Sequence, residues 1–141
     1  MKDYPGELFD KLTTLPAAPM IYTGGLENYP DLLAEIPSRY RLLGNRGECL
    51  RKIRDPFFVG ETLLAANLPA ITVRKNPPSN SRSQWLLKSL RSSAGLRVKR
   101  VDGQPTSKEE LESYYQQYRS GPSISAVYLS SAGETRCLGV T

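Results

Sequence analysis

The segment Gln84–Val98, with the sequence QWLLKSLRSSAGLRV, decides how the rest of the chain is interpreted. Its apolar start, Trp85 to Leu87, predicts a buried strand. The alternation of apolar and basic residues over positions 96–101 predicts a second strand. Between them, Ser89 to Gly95 are mostly small and polar, as is typical of a loop. The segment therefore predicts a strand, a small-residue loop and a second strand.

Three basic residues flank or enter this loop: Lys88, Arg91 and Arg97. A loop of small residues can turn several backbone N–H groups toward one point, and the three cations would add positive charge there. Phosphate oxygens suit such a site because they accept charge-assisted hydrogen bonds. The alternative is an ordinary hairpin with a solvated basic face, since short Gly/Ser loops between strands are common.

The basic charge of the chain lies in its second half. Residues 1–69 hold 8 Lys and Arg against 9 Asp and Glu, whereas residues 70–141 hold 11 against 5. Between positions 74 and 100 there are eight basic residues and no acidic one: Arg74, Lys75, Arg82, Lys88, Arg91, Arg97, Lys99 and Arg100. A solvated surface usually mixes both signs, so this stretch predicts an anionic ligand such as a nucleotide or a nucleic acid.

The composition excludes several site classes. The chain has no histidine, and its two cysteines, Cys49 and Cys137, are far apart without metal-ligand spacing. Neither a zinc site nor a Cys/His or Ser/His catalytic pair can be assembled from these residues. No apolar run approaches the roughly 18 residues of a membrane span, and no secretory signal is visible, so we expect a cytoplasmic protein without a membrane partner.

The first half predicts the start of a βαβ unit. A short apolar strand, 20–22, leads through glycines into a helix capped by Asn28, and a second strand follows at 40–43. We expect the two strands to pair in parallel. Helical apolar spacing also predicts helices over residues 4–15, around Cys49 to Ile53 and over 57–68.

The glycine turn of this unit, TGGLEN, is a candidate substrate contact. Turns after parallel strands are where α/β folds bind ligands, which would make Gly24, Gly25, Glu27 and Asn28 substrate-binding residues. The turn does not have the spacing of the dinucleotide fingerprint, and its alternative is a tight β-to-α connection without a ligand.

The second half predicts a small β-rich unit with a boundary near residue 70. After a brief strand at Ile71 and Val73, residues 76–83 read as a loop. A capping box at Thr106 or Ser107 predicts a short helix. Strands are expected over the remaining alternating or β-prone runs, at 114–118, 124–129 and 134–140, the last two as a hairpin.

The order of these motifs resembles the ATP-grasp superfamily, in particular bacterial ATP-grasp proteins. The shared features are YTGGLEN, LLGN, an RDP-initiated helix ending in LP, WLLK with its small-residue loop, and the ISAVYL and LGVT strand pair. The resemblance runs from about Pro16 to Thr141. It implies the end of a Rossmann-like preATP-grasp segment in residues 1–69 and part of the nucleotide-covering lobe in 70–141.

The resemblance also implies a set of nucleotide-binding residues. Lys88 matches the lysine that reaches the ATP phosphates, and Ser92 to Gly95, with Ser93, match the loop that closes over them. Arg91 joins this set because of its positive charge beside the loop. Tyr115, Gln116, Gln117 and Tyr118 fall where the family passes the adenine edge. Plain strand packing is the alternative for the tyrosines.

The implied activity is ATP- and Mg²⁺-dependent ligation of a carboxylate to an amine or thiol through an acyl phosphate. The chain departs from the family pattern at Lys88-Ser89 in place of Lys-Pro, at the single glycine Gly95, and at Asp55-Pro56 in place of Asp-Lys. The metal ligands of such enzymes belong to a further lobe that we expect beyond Thr141. No catalytic or metal-binding residue is therefore assigned, and we expect the chain alone to bind nucleotide without catalysing ligation.

The sequence thus predicts an α/β chain, with a partial Rossmann-like βαβ unit followed by a small, mainly antiparallel β-rich (α+β) lobe. Its expected partners are a nucleotide and an unidentified carboxylate and amine, and a homodimer would cover open sheet edges. The alternative function is a small RNA- or ssDNA-binding module that uses the basic stretch and its neighbouring tyrosines.

Overall fold

The structure, a computed structural model, describes residues 5–23, 25–36, 39–76, 84–92, 96–101 and 112–141. These residues form a mixture of helices and strands in which the larger sheets are antiparallel. The helices are α1 Gly6–Thr14, α2 Pro30–Glu35, α3 Gly47–Arg54 and α4 Pro56–Ala65, with a 3₁₀ helix at Leu26–Asn28. The strands are β1 Pro19–Met20, β2 Arg41–Leu42, β3 Val73–Arg74, β4 Trp85–Ser89, β5 Val98–Val101, β6 Ser113–Gln117, β7 Ala126–Ser131 and β8 Glu134–Val140.

Strands β1 and β2 confirm the predicted parallel pair. Pro19 lies opposite Arg41 and Met20 opposite Leu42, and the Leu43 N–H donates to the Met20 carbonyl at 2.8 Å. Helix α2 lies between the two strands in the chain. Each strand has two residues, and within the described part of the chain their sheet has two strands. This is a βαβ connection, but a larger Rossmann-like sheet is not shown.

The predicted helix cap at Asn28 is wrong. Asn28 ends the 3₁₀ helix, and Tyr29 is the residue that precedes α2. The Asn28 side-chain amide instead donates to the Gly25 carbonyl at 3.0 Å. Gly25 has a φ of 89°, a left-handed conformation that glycine adopts without steric cost. The turn is therefore closed by its own side chain, and α2 starts from Pro30, whose fixed φ suits a first helical position.

The first half has a compact apolar core. Leu33 is fully buried and Tyr40 is 3 % exposed, and both belong to one cluster with Leu12, Leu26, Ile36, Leu42 and Leu50. The Tyr40 hydroxyl lies 2.6 Å from the Leu12 carbonyl and 2.8 Å from the Leu15 carbonyl. The core therefore joins the end of α1 to α2, β2 and α3.

We expect Tyr40→Phe to destabilise the protein by about 0.5–1.5 kcal/mol, because the carbonyls of Leu12 and Leu15 lose the hydroxyl donor while the Arg39 guanidinium still donates to Leu12. Urea unfolding followed by circular dichroism would measure this change. Tyr128→Phe is the control, since Tyr128 is 62 % exposed and its hydroxyl should contribute little. Equal effects of the two substitutions would contradict the assigned role of the Tyr40 hydroxyl.

Helix α4 forms as predicted, but it leaves much of its apolar surface open. Asp55 caps it, with one carboxylate oxygen accepting from the Phe57 N–H at 2.9 Å. Leu64 is 65 % exposed, and Leu68, just beyond the helix, is 52 % exposed. The helix contacts β3 and α3, but none of its described residues is fully buried, so helical spacing located the helix without showing how far it is covered.

The central sheet has the order β3-β6-β4-β5, with every neighbouring pair antiparallel. The predicted pair of strands around the small-residue loop is confirmed as the β4–β5 hairpin, and the tyrosine-rich run is confirmed as β6. Trp85 and Tyr115 are 5 % and 1 % exposed and anchor this sheet. This β-rich unit places Lys88 at the end of an inner strand.

Strands β7 and β8 form the predicted hairpin around Ala132 and Gly133, both with positive φ. Among the described strands they pair only with each other. Their large apolar side chains are exposed, including Leu129 at 61 %. The predicted helix after Thr106 and most of the predicted 76–83 loop lie outside the described residues. Among the helices that the structure describes, none is long and apolar enough to cross a membrane.

Candidate functional site

The central contact of the site joins Lys88 on β4 to Gln116 on β6. The Lys88 ammonium donates to the Gln116 side-chain carbonyl at 3.2 Å and lies 5.8 Å from the centre of the Tyr114 ring. Lys88 lies opposite Tyr114 in the ladder, and Leu86 lies opposite Gln116. The two polar groups are diagonal neighbours, a separation that long side chains can span. Two residues 28 positions apart in the chain thus meet on one side of the sheet.

Because side chains alternate along strands, the ladder places one set of residues on the same side of the sheet. We call this side the Lys88 face; it carries Val73, Leu86, Lys88, Val98, Arg100, Tyr114 and Gln116. Arg100 lies over the Tyr118 ring, 4.4 Å from its centre. Tyr118 follows β6 and is held by its backbone N–H, which donates to the Gln84 carbonyl at 2.8 Å. Arg100 is thus an additional cation beside the predicted residues.

The structure separates Gln116 from Gln117. Gln117 lies opposite Trp85, which belongs to the other side of the sheet. Because adjacent side chains of a strand lie on opposite sides of the sheet, the structure does not bring Gln117 together with Lys88. The alternation within the sequence SYYQQ already contained this information.

The loop after β4 is held by local hydrogen bonds as far as it is described. The Ser89 hydroxyl accepts from the Arg91 N–H at 3.3 Å, and the Ser92 carbonyl accepts from the Arg54 guanidinium at 3.0 Å. The Arg91 guanidinium lies 3.9 Å from the Glu112 carboxylate, with both side chains about two-thirds exposed. The predicted loop residues Ser93 and Gly95 lie outside the described residues.

Arg54 connects this loop to the glycine turn of the first half. Besides Ser92, its guanidinium contacts the Asn28 side-chain oxygen and lies 3.7 Å from the Glu27 carboxylate. Arg54 and Glu27 have side chains that are each 27 % exposed, so the pair is partly shielded from water. Contacts with Arg54 thus fix two of the predicted substrate residues, Glu27 and Asn28. Of the other two, Gly25 forms the bend of the turn, and Gly24 lies outside the described residues. Sequence reasoning missed Arg54 because its position at the end of α3 carries no motif.

A groove of about 460 Å³ opens around Arg54. We call it the Arg54 groove. The 3₁₀ helix and α2 form one wall, α3 and the start of α4 form the second, and the segments that follow β3 and β4 form the third. Its charged lining residues are Glu27, Asp31, Arg51, Arg54, Asp55, Lys75 and Arg91.

A second groove of about 420 Å³ lies between α4 and the Lys88 face. Its lining is mainly apolar, and Gln116 and Arg54 contribute polar groups to it. Small-molecule sites commonly combine apolar walls with a few fixed polar groups, and their volumes fall in this range. The apolar residues concerned are Ile53, Val59, Leu63, Ile71 and Val73.

Partial burial raises the pKa of the Tyr22 phenol, and the Glu27 carboxylate and Cys49 thiol nearby raise it further. The hydroxyl donates to the Asn45 carbonyl at 2.7 Å. A raised pKa keeps this donor protonated at neutral pH. Tyr22 therefore supports the turn that follows β2.

Within the described ranges, no group of three or more Cys, Asp or Glu side chains is arranged to hold a metal ion. We assign no Mg²⁺ ligand.

Comparison with protein-family models, with curated proteins and with solved structures gave no match to this chain.

Proposed function

We propose that this chain binds a nucleotide on the Lys88 face as part of an ATP-grasp-like ligase that joins a carboxylate to an amine or thiol. The observation that carries the proposal is the contact between Lys88 and Gln116. A lysine and an amide that meet at the end of an inner strand offer a point charge for phosphate and a reader for a base edge.

The surroundings of this contact support a nucleotide. Arg100 and Lys88 both lie on the Lys88 face and supply the positive charge that phosphates favour. The apolar groove beside Gln116 suits a flat base. Gln116 and Tyr118 would hold the base end, and Lys88 with the loop after β4 would hold the phosphate end. When bound, ATP would supply the phosphoryl group that activates the carboxylate.

The order of motifs along the chain supports the ligase class. The parallel β1–β2 pair with its helical connection agrees with the proposed Rossmann-like segment of residues 1–69. The four-stranded antiparallel sheet agrees with the proposed nucleotide-covering lobe of residues 70–141. Contacts cross this boundary, for example from Phe57 to Tyr114 at 6.3 Å between ring centres. Such contacts would keep the two segments in a fixed relation around a ligand.

A titration with ATP followed by amide chemical shifts tests the nucleotide proposal. We expect the largest chemical-shift changes at the end of β4 and the loop after it, Lys88 to Ser92, and at the end of β6, Gln116 to Tyr118. Changes confined to the β7–β8 hairpin, or no change at millimolar ATP, would contradict it. Adenosine should move the Gln116 amides more than those of Arg91 and Ser92, because it lacks the phosphates.

Nucleic-acid binding is less well supported by the geometry. Single-stranded nucleic acids are held by bases that stack on aromatic rings. In the basic stretch, Arg74, Lys75, Lys88 and Arg100 each lie over an aromatic ring, within 4.4–5.8 Å of its centre. These rings are already covered by the protein's own cations, and two of them, those of Trp85 and Tyr114, are buried.

We therefore expect a short single-stranded oligonucleotide to bind only weakly at physiological salt, with a dissociation constant on the order of 10⁻⁴ M. This affinity should fall steeply as salt rises, whereas ATP binding should depend on salt less strongly. Fluorescence anisotropy with a labelled oligonucleotide at several salt concentrations measures the effect. Submicromolar binding at physiological salt would reverse the ranking of the two functions.

A further inference from the structure

Two cations of the Arg54 groove lie at the same edge of the central sheet. Strands β3 and β4 both run antiparallel to β6, so they are parallel to each other and end at one edge. Lys75 directly follows β3, and Arg91 comes two residues after β4. Because β6 lies between these strands, and Lys75 is level with Tyr114 whereas Arg91 lies about three residues further along, the backbones of the two cations are separated by roughly 14 Å. Two long side chains can span this distance around one small anion.

The other charges of the groove are largely neutralised within the protein. Arg51 pairs with Asp31, and Arg54 is held by Glu27, Asn28 and the Ser92 carbonyl. Asp55 accepts the first N–H groups of α4. Lys75 makes a contact of another kind, since its ammonium lies 5.5 Å from the centre of the Phe57 ring. The groove lining thus has four cations against three carboxylates, and the two cations that are not paired with Glu27 or Asp31 lie at the sheet edge.

A protein carboxylate already lies near this position. Glu112 immediately precedes β6, between the ends of β3 and β4, and its carboxylate is 3.9 Å from the Arg91 guanidinium. At this distance, and with both side chains about two-thirds exposed, the pair is weak and open to competition by another carboxylate. The contact with Glu112 thus indicates that this edge of the sheet can hold a carboxylate.

The groove also has apolar surface next to these cations. Phe57 and Leu90 line it near the sheet edge, and Leu32 and Leu50 line it on the helical side. An anion with an apolar body would bury these side chains further, which free phosphate would not do. A volume of about 460 Å³ is in the range of small-molecule sites.

We propose that the Arg54 groove binds a small organic monocarboxylate with an apolar body, whose carboxylate lies between Lys75 and Arg91 in competition with Glu112. The claim that this carboxylate is a ligase substrate rests on the proposed function. The claim that the groove binds a carboxylate depends on the groove alone. Gln116 does not line the Arg54 groove, whereas Arg54 lines both grooves.

The probe for the test is 3-phenylpropionate, with 3-phenylpropan-1-ol as its neutral counterpart, in titrations followed by amide chemical shifts on the full chain. We expect 3-phenylpropionate to move the amides of Leu32, Leu90 and Arg91, with a dissociation constant on the order of 1 mM. The alcohol should bind at least about fivefold more weakly because it lacks the charge-assisted contacts.

One substitution that should weaken binding and one that should strengthen it make the test specific. Lys75→Met should weaken binding of 3-phenylpropionate about five- to tenfold, and Glu112→Gln should strengthen it about two- to threefold by removing the competing carboxylate. Lys99→Met is the control for loss of one positive charge, since Lys99 lies on the side of the sheet opposite to the Lys88 face. It should leave the affinity unchanged, and the unaltered amide spectrum of each variant confirms its fold.

Three outcomes would overturn the proposal: no shift in the groove, equal binding of acid and alcohol, or a loss in Lys99→Met equal to that in Lys75→Met. An ATP arm separates the two proposals. If ATP binds but 3-phenylpropionate does not, the groove assignment fails and the nucleotide assignment stands. If only 3-phenylpropionate binds, the groove assignment stands and the nucleotide assignment fails. If ATP displaces 3-phenylpropionate, the nucleotide phosphates occupy the oxyanion site and the carboxylate assignment is wrong.

Discussion

Replacing Leu33 by alanine is expected to lower the free energy of unfolding by about 2–5 kcal/mol. Leu33 is fully buried on α2, where it contacts the cluster that joins α1, β2 and α3. Removing its side chain takes away apolar burial and leaves a cavity, and both effects favour the unfolded state. The α2 helix has only six residues, so it depends on this packing more than on its own helical propensity.

Urea unfolding followed by the helical circular dichroism signal measures this loss. The matched control is Leu64→Ala on α4, because Leu64 is 65 % exposed and the same truncation there should change stability by less than about 0.5 kcal/mol. A loss below about 1 kcal/mol for Leu33→Ala, or equal losses for the two leucines, would contradict the core described for the first half.

Replacing Tyr115 by alanine is expected to lower the free energy of unfolding by about 3–5 kcal/mol, the second large effect. Tyr115 is 1 % exposed and lies on an inner strand, β6, which pairs with both β3 and β4. Its ring shares a side of the sheet with Trp85. Truncation should therefore weaken the sheet at its most buried point.

The fluorescence of Trp85, the single tryptophan of the chain, reports on unfolding of this sheet. Tyr128→Ala is the control, because Tyr128 is 62 % exposed on the β7–β8 hairpin and should matter little. A fluorescence transition at the same urea concentration in Tyr115→Ala and in the original chain would contradict the assigned core.

The two substitutions also test the predicted boundary near residue 70. If the two segments unfold as one unit, Leu33→Ala should shift the Trp85 transition as much as the helical signal. The contact of Arg54 with Ser92 and that of Phe57 with Tyr114 cross the boundary and favour such coupling. If they unfold separately, Leu33→Ala should leave the fluorescence transition in place.

Much of the secondary structure could be predicted from periodicity. The apolar run before Lys88 gives β4, and alternation after the loop and in the last 20 residues gives β5 and the β7–β8 hairpin. Helical spacing gives α1 to α4. These elements follow from local patterns that bury one side of a helix or strand. The same patterns did not show that Leu64 and Leu68 stay exposed, because burial depends on what packs against the helix.

The candidate site was predictable only in part. Lys88 and Gln116 were identified separately, but their contact depends on the β4–β6 register, which the sequence does not fix. Gln117 was grouped with Gln116 by adjacency in the chain, although strand alternation places them on opposite sides. Arg54 could not be found, because its role comes from three contacts with residues far away in the chain.

Calorimetric titration of Lys88→Met with ATP and with adenosine tests the central claim most directly. Methionine keeps the apolar stem and removes the ammonium group, with its charge and its hydrogen bond to Gln116. Lys99→Met is the control with the same loss of charge on the other side of the sheet. We expect Lys88→Met to weaken ATP binding by about 1.5–3 kcal/mol, roughly ten- to a hundredfold, and adenosine binding by much less. Unchanged ATP affinity in Lys88→Met, or an equal loss in Lys99→Met, would contradict the assignment of Lys88 to the phosphates.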